Sequence, residues 1–285
     1  MGSPIMRFIA WTHAGMPATD GAGVELRRII GTPQCDMIDP FLMLDEFGSD
    51  DPDSWIAGFP DHPHRGFETV TIMLEGRVRH GDSTGTSGVI EAGDVQWMTA
   101  GRGIVHSEMP ERADGRLRGF QLWVNLPARL KMTTPRYQDI AAARIPTATF
   151  DGGTARVIAG ALAGTEGPAE TSIPVRLLDV VLDRGATIEI DTSDDHLCFA
   201  YAYAGALTGR DGRGDPVAAP AGTLAIYQGA GPAPLAAGPA GARALYADGR
   251  PLREPVARGG PFVMNTREEL LQAFQDFSTG RLGAA

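Results

Sequence analysis

Cysteine is scarce. Cys35 and Cys198 are the only two in 285 residues, far apart and in no CxxC pair. That argues against a thiolate-built zinc site; a single disulfide stays open, and two free, mostly buried thiols in a reducing compartment are the preferred reading. Positive charge is also short: Lys and Arg number 25 against 35 Asp and Glu, a formal net charge of -10 with a pI of 5.0. Such a surface suits neither nucleic acid nor anionic membranes, both of which select basic proteins, though it leaves docking onto a protein partner open. No run approaches 18 apolar residues, and no N-terminal stretch resembles a secretion signal. A soluble, cytoplasmic protein is the expectation.

Glycine (37) and proline (21) are plentiful, and hydrophobic residues make up 43% of the chain. There is apolar material for a core, but it is punctuated too often for long helices. Short β-prone segments recur between turns. Residues 67–74 (FETVTIML), 95–98, 120–126 (FQLWVNL), 175–182, 187–190, 197–203, 223–227 and 242–246 read as strands. Between Gly205 and Gly260 the chain turns rich in Ala, Gly and Pro, which predicts short strands joined by loops. One helix stands out, at the C-terminus. Thr266 with Glu269 three residues on is a capping box, and Leu270, Leu271, Phe274 and Phe277 follow at helical spacing; core packing is the ordinary reading of that face. A repeat is visible too. Gly76 and Gly93 stand 17 apart, as do Gly205 and Gly222, with "EAGDVQWM" and "PAGTLAIY" in matching places. Two copies of one β-domain explain this economically.

Histidine is rare as well, with six in the chain, yet two of them flank Pro63 in "GFPDHPHRGFETV". Residues i and i+2 of a strand share a face, and proline favours the extended state on both sides of itself. His62 and His64 therefore aim together. The pattern returns in "GRGIVHSEMP", where His106 and Glu108 are also i and i+2. Strand pairing inside a β-barrel would join three imidazoles to one carboxylate. That donor set suits a divalent transition metal and can leave positions open. Structural histidines are the ordinary reading of one HxH; the second pair makes the metal reading its equal.

"DEFGSDDPDSWIAGFPDHPHRGFETVTIMLEG", "GDVQWMTAGRGIVHSEMP" and "GPFVMNTREELLQAFQDFSTGRLG" resemble the pirin family of the cupin superfamily. The resemblance implies an all-β bicupin: two jelly-roll β-sandwich domains, residues 1–135 with a metal site and 136–285 without one, the second ending in the short amphipathic helix. It implies one metal ion per chain, usually iron and so Fe(II) here, held by His62, His64, His106 and Glu108; Mn, Co, Ni, Cu and Zn stay open. Counted from the glycine repeat, the matching positions of the second domain are Asp191, Ser193, Leu235 and Ala237, and the latter two cannot bind a metal.

The activity implied is cleavage of the flavonol quercetin with O2, a quercetin 2,3-dioxygenase. Glu108, the only carboxylate of the set, is then the candidate catalytic base. Phe47, Phe59, Met73, Trp97 and Met109 are candidate walls for a flat aromatic substrate. Arg65 and Arg102 are candidate anion contacts, and Asp45 and Asp61 candidate supports for a ligand imidazole. The alternative within the same family is an iron-binding, redox-responsive regulatory protein that binds a transcription factor or a metabolic enzyme.

Overall fold

The computed structural model describes residues 6–112 and 115–284. It forms two β-sandwich units, of the jelly-roll type expected. The boundaries differ from the expected cut at residue 135. One unit joins residues 1–15 to 143–251, and the other joins 16–142 to 252–285. Hydrogen bonding is the reason. The first strand, Phe8–Ala14, pairs antiparallel with Thr223–Gln228 and so belongs to the later unit. At the other end Phe262 bridges Arg65, and Val263 N–H donates to the Arg65 carbonyl at 3.0 Å. The terminal helix Arg267–Ser278 thus closes the first cupin, not the second.

In the unit built on residues 16–142, a seven-stranded sheet runs in the order Arg136–Ile140, Val95–Thr99, Phe67–Glu75, Arg118–Asn125, Phe41–Phe47, Val24–Ile30 and Met16–Asp20. A four-stranded sheet runs Phe59–His64, Ile104–Pro110, Val78–Asp82 and Ser87–Ile90. Phe67–Glu75 is an interior strand of this sheet, and seven of its nine residues are buried. Both faces of it are covered, so its burial does not alternate along the strand, and Glu68, Thr69 and Thr71 are buried with its apolar residues.

The other unit is built on one nine-stranded sheet, with a two-stranded sheet of Ala161–Leu162 and Thr165–Glu166 in addition. Two strands within it are far longer than the Ala, Gly and Pro content predicts: Leu197–Arg210 and Ala233–Gly249. Instead of ending at their small residues they bend there. Their pairing slips at Ala202/Ala204 and Gly205/Leu207, and Gly205 and Gly241 sit at φ 66° and 80°. Each slip is a bulge that turns the strand without ending it.

The repeat is structural. Ile72 faces Val95 as Tyr201 faces Leu224. Gly93 N–H donates to Met73 O at 2.9 Å as Gly222 N–H donates to Ala202 O at 2.7 Å. Beyond Gly222 the register differs from a plain count. Leu207 pairs with Ala237 as Val78 pairs with Pro110, so the intervening stretch is two residues shorter. Ala233 and Leu235 then stand where His106 and Glu108 stand in the first unit, and Ile190, opposite Ala233, matches His62. All three lie in the apolar core of their unit.

The terminal helix has the expected capping box between Thr266 and Glu269. Its apolar face is only half used. Phe274 and Phe277 lean on Phe262 yet stay 42% and 43% exposed, and Leu271 is more exposed still. The arm before the helix is fastened by Lys131, the only lysine in the chain. This side chain is fully buried, and its ammonium donates to Gly66 O and Asn125 Oδ1 at 2.8 Å and to Val263 O at 2.9 Å. Burial pushes its pKa down to about 8. Lys131→Met keeps the stem but strands three acceptors. It should lower unfolding free energy by about 3 kcal/mol and speed amide exchange at residues 262–264, read by urea unfolding and hydrogen-exchange mass spectrometry; the exposed Arg129→Met should change neither.

Candidate metal centre

The two histidine-bearing segments are neighbouring strands. Ile104–Pro110 pairs antiparallel with Phe59–His64, and His106 lies directly opposite His62 while Ile104 lies opposite His64. Cross-strand partners share a face, so all three imidazoles emerge together. Their ring centroids are 4.4 Å (62–106), 4.7 Å (62–64) and 5.1 Å (64–106) apart. One nitrogen from each lies within 4.8 Å of the others.

The rings are fixed from outside. His62 Nδ1 is 2.8 Å from the Pro60 carbonyl, and His64 Nδ1 is 3.3 Å from that of Pro261. A carbonyl only accepts, so both Nδ1 atoms carry the hydrogen and both Nε2 lone pairs are left for another acid. These two carbonyls do the work expected of Asp45 or Asp61. Neither nitrogen of His106, a residue 1% exposed, has a hydrogen-bond partner. Burial, and then the charge the neighbouring imidazoles would carry, pushes His64 and His106 well below the usual histidine range. They are neutral at physiological pH. A buried imidazole with unused nitrogens beside two others aimed the same way fits a divalent transition metal, and this site can hold one.

Glu108 stands apart from the three. A bulge between His106 and Glu108 sets it opposite Phe59, and its carboxylate faces the large sheet. Thr71 Oγ1 donates to Oε1 at 2.9 Å, and Gln121 Nε2 donates to Oε2 at 3.1 Å. It lines the same cavity as His62 and His64, but is outside the tight imidazole group. The sheet register explains its partners. Gln96, Thr71, Gln121, Asp45 and Arg28 lie opposite one another in turn across five strands, a polar row through an otherwise apolar layer. In sequence each is one of the hydrophilic residues inside a β-prone run: the second Thr of FETVTIML, the Gln of FQLWVNL, the Asp of FLMLDEF. Only pairing shows that they line up. His80, opposite Glu108, is also buried. It stacks on Tyr137 at 5.7 Å and lies 3.7 Å from Asp139, outside the cluster.

The cavity in front of the imidazoles measures about 670 Å³. Phe47 and Phe59 line it, as expected. Met73 and Trp97 do not, being fully buried core, and Met109 is exposed. Trp123 is the aromatic wall that sequence reading missed; its ring meets those of His64 and Phe67 at 5.2 and 4.2 Å. The expected cations also differ. Arg65 is paired to Asp276 at 2.8 Å and Arg102 donates to the Gly283 carbonyl, so both hold the C-terminal segment. Arg28 and Arg258 line the cavity instead. The paired carboxylate of Asp45, at 2.8 and 2.9 Å, keeps Arg28 charged.

Two family models match the chain, "Pirin" over residues 23–124 and "Pirin C-terminal cupin domain" over 177–283. A pirin-like protein of Caulobacter vibrioides is 50% identical over 98% of both chains. A Pseudomonas aeruginosa protein, provisionally named a quercetin 2,3-dioxygenase, is 47% identical over 95% of this chain and 96% of its own. The crystal structure of a protein named quercetin 2,3-dioxygenase from Acinetobacter baumannii superposes with a TM-score of 0.88 at 35% identity, covering 98% of this chain and 99% of that one.

Replacing His62, His64 or His106 singly by alanine should weaken binding of Fe(II) or Ni(II) by at least ~100-fold, more than a lost outer partner costs. His196→Ala, in the other unit, should leave uptake intact. Metal analysis after anaerobic loading and desalting measures both.

Proposed function

The chain belongs to the pirin family, and from that premise we propose that it is a metal-dependent dioxygenase cleaving quercetin-like flavonols with O2. One divalent ion, Fe(II), is held by His62, His64 and His106, with Glu108 as the fourth ligand or its neighbour. The observation that carries the reading is the aim of the imidazoles. His62 and His64, each with Nδ1 engaged by a carbonyl, line an aromatic-walled cavity, and His106 stands beside them with both ring nitrogens unpartnered. Bound there, the metal supplies a Lewis acid and the means of engaging O2.

The protein's own residues supply the rest. A cavity of about 670 Å³ is in the range that encloses a small planar ligand and sheds its water. Phe47, Phe59 and Trp123 give it flat apolar walls that orient a three-ring substrate edge-on to the imidazoles. Glu108 is the carboxylate placed to take the proton of the flavonol 3-hydroxyl. Its separation from the tight histidine group favours that role, because an oxygen not committed to a cation keeps a lone pair for a proton. Thr71 and Gln121 hold the carboxylate from behind and fix its direction.

Glu108→Gln preserves shape and removes the basic oxygen. Stoichiometric metal should remain while flavonol-dependent O2 uptake falls by about 100-fold or more. An oxygen electrode with metal analysis of the same sample decides it; undiminished uptake removes Glu108 as the base. Absence of uptake in the wild-type chain with each of Fe, Mn, Co, Ni and Cu removes the dioxygenase itself.

A further inference from the structure

The cavity wall carries a cation that the proposed chemistry does not use. Of the two guanidinium groups lining it, Arg28 is bound by two carboxylates, Asp45 and Asp20. Arg258 has no ion pair among the described residues. It stands on the short strand Ala257–Gly259 of the C-terminal arm. It gives one hydrogen bond, Nη1 to the Leu42 carbonyl at 3.1 Å, and its guanidinium carbon lies 5.7 Å from the centroid of Trp123. A guanidinium has five N–H donors, so most of its capacity is unspent. Burial lowers its pKa, the mark of a charge stripped of water without full compensation. Trp123 lies against both groups of the wall, since the His64 ring is 5.2 Å from the same indole centroid. His64 and Arg258 line the same cavity within reach of one indole, so a two- or three-ring planar ligand in it can touch both.

We propose that Arg258 is the anion anchor of this cavity: it selects planar aromatic substrates bearing a second acidic group, a phenolate or carboxylate, on the ring remote from the metal. The proposal rests on the flavonol reading for its probes, but not for its logic. Arg258 positions substrate and takes no part in bond breaking. A fork of donors held against an indole favours a flat, ionised oxygen over a neutral hydroxyl or ether.

The test is equilibrium binding to the Ni(II)-loaded protein under anaerobic conditions, at a pH where the second group is ionised. The probes are 3-hydroxyflavone and the same flavonol carrying a carboxylate on its remote ring. The wild-type chain should bind the acid about tenfold more tightly, the worth of one charge-assisted hydrogen bond. In Arg258→Gln that preference should vanish while 3-hydroxyflavone binds as before, and Arg258→Lys should restore part of it. Equal loss of both probes marks a merely structural arginine and overturns the proposal; so does a preference that survives the substitution. A preference that collapses as expected in a protein that consumes no O2 with flavonols keeps the anchor and discards the dioxygenase. Failure of both probes to bind the wild-type chain discards both.

Discussion

Three imidazoles in contact, mostly out of water, are a costly arrangement. Protonated, they would repel one another; neutral, they include His106, whose two nitrogens the interior leaves without partners. A buried polar atom without a hydrogen bond costs about 1–3 kcal/mol, and His106 has two such atoms. A cation returns that cost, so the arrangement makes physical sense as a chelate held ready in advance. Two short strands enforce it. With His62 fixed opposite His106, a slip of one residue in either strand would turn that strand's histidines to the other face and split the set.

Around this pairing the first cupin is braced by residues from the far end of the chain. The carbonyl that fixes His64 belongs to Pro261, 197 positions later. The residue next to His64 is Arg65, whose guanidinium reaches Asp276 on the terminal helix. The arm therefore does more than cover the sandwich. It sets the tautomer of His64 and adds Arg258 and Pro261 to the cavity wall. Contacts so distant in sequence close a large loop, and the entropy of that closure rises only slowly with its length. A late segment can thus complete an early site at little extra expense.

Much of this was legible in the sequence. Strand periodicity placed His62 and His64 on one face, and likewise His106 and Glu108, and the glycine repeat gave two copies of one unit. Capping chemistry gave the helix. What escaped was whatever depends on register between distant strands. Glu108 falls outside the tight cluster because of a bulge that no spacing announces. Thr71, Gln121 and Asp45 read as isolated polar residues until pairing sets them in a row. Arg65 and Arg102 adjoin the ligands in sequence but turn away to the C-terminal segment, whereas Arg258 comes from 150 residues beyond His106 and lines the cavity. The long bent strands were hidden for a related reason: glycine marks both the end of a strand and a bulge within one, and composition does not distinguish them.

The role of Lys131 reaches beyond the arm it fastens. It is the one lysine of the chain, and it is sealed inside with its ammonium fully engaged. The folded surface consequently presents guanidinium groups as its positive charge and no side-chain amine at all. Acylating reagents and lysine-directed enzymes therefore find no lysine exposed on the native molecule. Reaction at position 131 would report that the first cupin has opened.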